Sequence, residues 1–203
     1  MKLGVLISGR GSNLKAIVAS IRAGAIPAEI GVVVSNVAEA PGLAWAKGEG
    51  IAAVCLPHCA SPARAVHDRR VDDVLRAHGV GLVCLAGYMR LLGPDFTSAW
   101  SGHLLNVHPS LLPAFPGLDA QHQAWTHGVK VSGATVHFVD EALDHGPIVL
   151  QECVAVLDED TPESLATRIL EVEHRIYPQA ISLVARGAVV REGRRVRVVG
   201  AAS

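Results

Sequence analysis

Short apolar runs alternate with stretches of helical period through the first hundred residues, and this restricts the folds open to the chain more than any other feature. Residues 3–7 are an apolar run, after which Leu14, Ile17, Val18 and Ile21 recur at helical spacing. The alternation predicts strands over 30–34, 51–56, 80–86 and 102–107. It predicts helices over 38–48, from Ser61-Pro62 to about Ala77, and over 94–100. Buried strands separated by helices pair in parallel through right-handed crossovers. The expected class is therefore α/β, with a doubly wound, mostly parallel twisted sheet.

After Pro113 the pattern changes. A short helix over 119–127 precedes two β-rich runs, 129–139 and 148–157, read as a hairpin-like unit with one strand extending the main sheet. Thr161-Pro162-Glu163 opens a long last helix as N-cap and N1 proline, and Pro178 is expected to kink or break it. Residues 188–199 read as a final hairpin whose arginines form a solvated face.

Composition narrows the function. The 203 residues are 50% hydrophobic, enough for one sizeable core, and only 18% are charged, with a net charge of −1. Nothing there attracts nucleic acid or an anionic membrane, so small-molecule partners are expected. No apolar run is long enough to span a bilayer, and the N-terminal run is too short for a signal sequence. Cys55, Cys59, Cys84 and Cys153 form no CxxC pair and read as idle thiols in a reducing cytoplasm. The ten histidines are scattered, with no HExxH and no zinc spacing, so no metal is indicated.

Two stretches carry chemistry. Leu104-Leu105-Asn106-Val107-His108-Pro109 ends an apolar run in an amide and an imidazole. In extended backbone Asn106 and His108 point one way and Val107 the other, and Pro109 forbids regular continuation. Strand ends are where open α/β sheets keep their sites. The second stretch, Ser8-Gly9-Arg10-Gly11-Ser12-Asn13, sits between a strand and a helix start, presenting N–H groups and a helix dipole to an anion. Leu14 replaces the third glycine of a dinucleotide loop, and no Gly-Lys-Ser/Thr follows. One isolated phosphate fits better. The plainer alternatives are a strand cap for the first stretch and a tight N-capped turn for the second. Two further regions are open to a bland and a functional reading. The apolar loop 87–94 is a lid over the core or a wall for a flat ring, and composition alone leans to the lid. The acidic loop 140–147 is a solvated turn or the source of an acid for His108.

Several segments together resemble the folate-dependent formyltransferases, over roughly residues 2–187. They are residues 5–14, the Leu-Ala-Gly-Tyr-Met-Arg of 85–90, the Asn106/His108 stretch, residues 133–139, the Asp-His-Gly-Pro-Ile of 144–148, and Glu173-His174 with Tyr177-Pro178. The resemblance implies a single domain over 1–203, with a phosphate-binding half of about 1–100 and a folate and catalytic half of about 101–203. Its fold would be Rossmann-like, with a C-terminal β-hairpin element and a long helix. It implies transfer of the formyl group of 10-formyltetrahydrofolate to the amine of 5′-phosphoribosylglycinamide in purine synthesis. Gly11, Ser12, Asn13 and Glu173 would hold the ribonucleotide. Arg64, Met89, Arg90, Leu91, Leu92, Asn106, Asp140 and Glu141 would hold the folate. Asn106, His108 and Asp144 would be catalytic: the first two at a developing oxyanion, Asp144 favouring charged His108, raising its pKa and relaying protons. A monomer or homodimer and no metal are implied. The chain departs from the family pattern at Asp119 and Gln121, where relatives carry histidine, and at Leu170, which reads as core.

Three rivals share these features. A tRNA-directed formyltransferase normally carries a further C-terminal domain, and this chain stops at Ser203 with little net charge. A formyltetrahydrofolate hydrolase normally carries an N-terminal regulatory domain and has no need of a phosphate loop. A non-catalytic folate- or nucleotide-binding module has no use for the trio.

Overall fold

The computed structural model describes residues 1–57 and 63–199. One seven-stranded sheet organises them, in the order β3-β2-β1-β4-β5-β6-β7. Strands β1 (Lys2–Ile7), β2 (Glu29–Ser35), β3 (Ala53–Cys55), β4 (Leu82–Leu85) and β5 (Leu104–His108) run parallel. Strands β6 (Val131–Phe138) and β7 (Ile148–Ala155) add antiparallel to the β5 edge. Both strands of the expected hairpin unit therefore extend the main sheet.

Helices cover both faces. Helices α1 (Ser12–Arg22), α2 (Pro41–Gly48) and α6 (Pro162–Ala185) bury one face with Leu14, Ile17, Leu43, Ile169 and Ile181. Helices α3 (Arg64–Ala77) and α4 (Pro94–Ala99) bury the other with Val71, Leu75 and Phe96. Helix α5 (Ala120–His127) packs near α6. The strand order reverses direction between β1 and β4, so the loops leaving their carboxyl ends diverge and open a crevice.

Some boundaries moved for local reasons. Helix α2 starts at Pro41, not at residue 38, because proline suits the first helical turn and drives Ala40 into extended backbone (ψ 118°). Helix α3 has Ala63 as its N-cap, while Ser61-Pro62 lie outside the described residues. Helix α6 opens as expected: Thr161 and Ser164 exchange bonds, N–H to hydroxyl in both directions, with Pro162 at N1. It then runs unbroken through Pro178. Packing outweighs the lost bond there, since Ile176, Tyr177, Pro178, Ala180 and Ile181 are all buried. The Tyr177 hydroxyl lies 2.9 Å from the Leu85 carbonyl and 3.1 Å from that of Leu105, stitching the helix to β4 and β5. Leu170, expected in the core, is only half-buried.

The tail forms β8 (Val189–Glu192) and β9 (Arg195–Val198), a separate two-stranded sheet. Cys55, Cys84 and Cys153 are free thiols, and burial pushes Cys84 up to about 12, which makes it inert. Cys59 lies outside the described residues. Among the described residues no helix is long and apolar enough to cross a membrane. No group of three or more His, Cys, Asp or Glu among them is placed to hold a metal ion.

Candidate active site

Alternation in β5 separates its side chains as expected. Leu105 and Val107 enter the α1/α6 core, and Asn106 and His108 share the opposite face. Pro109 ends the strand after His108. The following turn is tied down by Thr135: its hydroxyl donates to the Ser110 carbonyl (2.7 Å) and accepts from the Leu112 N–H (3.0 Å). The chain then folds back, and the Phe115 carbonyl accepts from His108 Nε2 at 2.8 Å. A carbonyl only accepts, so Nε2 carries a proton and Nδ1 is the nitrogen left to change state.

Nδ1 faces Asp144. The separation to Oδ2 is 3.4 Å, with both side chains buried. The Gly117 N–H donates to the same carboxylate oxygen at 2.8 Å. The acidic loop thus supplies the acid that His108 lacked a source for. Asp144 sits at φ 48°, a left-handed conformation that aspartate tolerates better than most residues.

His137 completes the arrangement, and sequence reasoning missed its role. It pairs with Asn106 across the β5–β6 ladder. Its Nδ1 donates to the Phe138 carbonyl (2.9 Å), so Nε2 is free to accept the Asn106 amide N–H at 3.2 Å. Burial lowers the His137 pKa, which keeps this acceptor neutral. Asn106 is therefore held with one amide hydrogen spent and one available. Asp144 Oδ1 lies 3.8 Å from His137 Nε2. The sequence signal was present in the period-two pattern of Thr135 and His137, which place their side chains on one face.

A cavity of about 200 Å³ opens in front of Asn106, His137 and Asp144. Of the residues expected to hold the folate, Arg64, Arg90, Leu91, Leu92, Asp140 and Glu141 also line it. The loop after β4 is thus a pocket wall, contrary to the lid that composition favoured. It is pinned by the Met89 N–H to Ser8 Oγ (2.8 Å) and the Gly93 N–H to Asp68 Oδ2 (2.7 Å). Met89 departs from the expected set: it contributes its backbone, while the residue is 69% exposed and outside the lining. Arg90 Nε and the Tyr88 hydroxyl are buried without a partner among the described residues. A larger cavity of about 400 Å³ lies between α3 and α4 and shares Arg64, but none of Asn106, His108 or Asp144 reaches it.

The glycine loop sits at the carboxyl end of β1. Gly11 takes φ 71°, and a Cβ there would meet Gly42 Cα at 3.0 Å. The first helical bond runs from Lys15 N–H to the Gly11 carbonyl, so the N–H groups of Ser12, Asn13 and Leu14 have no acceptor within the helix. The side chain of Asn13 keeps one amide hydrogen to donate, because only the other goes to a buried acid. Its Nδ2 donates one hydrogen to Glu173 Oε2 at 2.7 Å, and its buried Oδ1 has no partner among the described residues. Burial raises the Glu173 carboxyl to about 7 despite that bond. His174 stays beside the helix stripe, with Nε2 unpartnered among the described residues. Asp119 is the N-cap of α5 at φ 55° and makes no side-chain cap bond.

The arrangement is that of a group-transfer enzyme: an open-sheet crevice with a glycine loop whose N–H groups are free of the helix, a pocket lined by two arginines and three carboxylates, and an amide, imidazole and carboxylate beside that pocket. The formyl transferase family model matches residues 1–181, and the chain belongs to that family. It is 42% identical over 187 residues to the phosphoribosylglycinamide formyltransferase of Escherichia coli (strain K12), covering 92% of this chain and 88% of that protein. The crystal structure of glycinamide ribonucleotide transformylase 1 from Symbiobacterium toebii is similar with a TM-score of 0.96 and 53% identity, over 98% of this chain and 94% of that one. A trifunctional purine biosynthetic protein adenosine-3 of Bos taurus is 46% identical over 197 residues, 97% of this chain; the chain spans 19% of that relative's length.

Proposed function

We propose that the chain transfers the formyl group of 10-formyltetrahydrofolate to the amine of 5′-phosphoribosylglycinamide, a step of purine synthesis. One observation carries the reading: Asn106, His108 and Asp144 converge beside a pocket that holds two arginines, at the same carboxyl edge of the sheet as a glycine loop with free N–H groups. On this reading the ribonucleotide phosphate rests on the N–H groups of Gly11, Ser12 and Asn13. Glu173 meets the same substrate, and the folate takes the pocket with its carboxylates towards Arg64 and Arg90. The two halves, about 1–100 and 101–203, serve the two substrates within one domain.

The substrate amine attacks the formyl carbon. The carbonyl pair moves onto oxygen, and a tetrahedral oxyanion forms. The free amide hydrogen of Asn106 donates to it, an interaction worth about 3 kcal/mol, and the charge of protonated His108, whose N–H groups face Phe115 and Asp144, stabilises it through space. Asp144 faces the only His108 nitrogen whose protonation changes and accepts a proton from the attacking nitrogen, through water. When the carbonyl re-forms, the bond to folate N10 breaks, its pair returns to that nitrogen, and the proton follows. His137 holds the amide of Asn106 in register. No bond to the enzyme forms. The cytoplasm as its working place belongs to the same proposal, supported by the free thiols.

The test is loss of the formyl group from 10-formyltetrahydrofolate with and without the ribonucleotide. Turnover that requires the ribonucleotide is the expected result. Turnover with water alone makes the chain a hydrolase, and saturable binding without turnover makes it a binding module.

A further inference from the structure

We propose that Arg194, at the tip of the C-terminal hairpin, is a positioning residue that braces the 140–147 loop and so keeps Asp144 against His108. The inference rests on the role given to Asp144 above.

The loop needs a brace. Asp144 lies at φ 48°, and a non-glycine residue there costs about 1 kcal/mol or more unless its surroundings hold it. On its N-terminal side the loop is closed by Asp140, whose Oδ1 accepts from the Ala142 N–H (3.0 Å) and whose Oδ2 lies 3.1 Å from His145 Nδ1. On its C-terminal side the backbone at Gly146 passes so near β6 that a Cβ would stand 1.8 Å from the Phe138 carbonyl oxygen. Between them His145, next to Asp144, is held from outside. Arg194 Nη2 donates to the His145 carbonyl at 2.7 Å, and Nη1 lies 3.0 Å from each ring nitrogen of His145. The guanidinium therefore grips backbone and ring of one residue together, which its planar fork suits and a lysine does not.

The hairpin is built to deliver this contact. Glu192 pairs with Arg195, leaving a two-residue turn of Gly193 and Arg194, and Gly193 takes φ 59°. A two-stranded ribbon is marginal alone. This one docks through Val189 and Val196, which pack on the core, so its tip stands at a fixed place over the loop. The tail is thus tied to the site rather than presenting only a solvated face.

The experiment compares Arg194→Ala, Arg194→Lys and Arg195→Ala in the full chain. Arg195 supplies a neighbouring charge and, among the described residues, makes no side-chain hydrogen bond or ion pair to the loop. Arg194→Ala is expected to lower kcat by ~10-fold, with KM for both substrates within about twofold, since misplacing a catalytic group slows chemistry more than binding. Arg194→Lys recovers part of that loss, and Arg195→Ala behaves as the parent. Hydrogen exchange of the 140–147 amides quickens in Arg194→Ala and not in Arg195→Ala. Unchanged kcat overturns the proposal, as does a loss that only tracks the folded fraction. The exchange readout works even if the parent chain turns nothing over: that failure sinks the reading of the reaction, whereas unchanged exchange sinks the brace.

Discussion

The two ends of the crevice are built differently. The glycine stretch is six contiguous residues, Ser8 to Asn13, spanning the β1–α1 loop and the start of α1, fixed by a close approach to Gly42 and by the Asn13–Glu173 bond. The catalytic end is assembled from four separate segments: Asn106 and His108 on β5, His137 on β6, the Phe115–Gly117 turn, and Asp144 in its own loop. Two of its residues, Phe115 and Asp144, sit at positive φ. The glycine end, proposed to be the anion end, takes its shape from one short stretch of backbone that two distant residues, Gly42 and Glu173, hold in place. The catalytic end exists only because long-range contacts hold strained loops together. Mutations at the first should therefore weaken binding, and mutations at the second should slow the chemistry.

The largest effect is expected from Asp144→Asn. The amide keeps the size of the side chain and can still accept from Gly117, but it neither carries the charge facing His108 Nδ1 nor takes a proton. A fall in kcat of ~10³-fold is expected, within the range for a general acid–base group, with Tm little changed. Steady-state kinetics beside a melting curve checks it. Near-parental kcat would remove Asp144 from the chemistry and make the catalytic end no more than a scaffold.

The same contrast governs what could be read in the sequence. The alternation that fixes the parallel sheet is local, and so are the glycine loop and the Asn106/His108 spacing. Each was legible because the information lies within a few residues. The pairing of Asn106 with His137 depends on β5–β6 register, and Arg194 depends on where a hairpin docks; neither has a local signature. Pro178 shows the converse error, since a strong local rule lost to the packing of Tyr177 and its neighbours. Asp144 was legible only through the family resemblance: the residues themselves offered the loop 140–147, with its three carboxylates, as a source of an acid, and the stretch 158–160 holds as many.

Glu173 tests the anion end through pH. Its carboxyl would ionise near 4.5 when exposed and holds its proton to about 7 in the fold, chiefly because it is buried. Between those values the folded chain binds more protons than the unfolded chain, so this group's contribution to stability falls as pH rises from about 4.5 to about 7, and is flat above. Glu173→Gln removes the charge and with it this slope. The variant is expected to match the parent near pH 4 and to exceed it by about 3 kcal/mol at pH 8. Denaturant titrations at both pH values decide it; parallel curves would mean the carboxyl is not desolvated as the structure has it.

Gly11→Ala attacks the same end through the backbone. At φ 71° an alanine costs about 1–2 kcal/mol, and its Cβ would crowd Gly42 Cα at 3.0 Å. A rise of ~10-fold in ribonucleotide KM is expected, with kcat within about threefold, because the cradle and not the trio is disturbed. Initial rates over a ribonucleotide series separate the two. A collapse of kcat at unchanged KM would place Gly11 in the chemistry and erase the distinction between the ends.

The smallest effect is expected at Met89, between the two ends. Its backbone N–H reaches the hydroxyl of Ser8, which in turn donates to Asn36 Oδ1 at 2.5 Å, so the loop after β4 is tied to the loop after β1 through position 89. Its side chain is 69% exposed and lines no part of the pocket. A substitution that keeps the N–H keeps the tie. Met89→Ser should therefore change stability and folate KM by no more than the equivalent of ~0.5 kcal/mol, the usual range for a surface site. A tenfold rise in folate KM would show the thioether folding over the bound ring. It would mean that the pocket wall closes on its ligand and that the catalytic end is less complete before binding than the anion end.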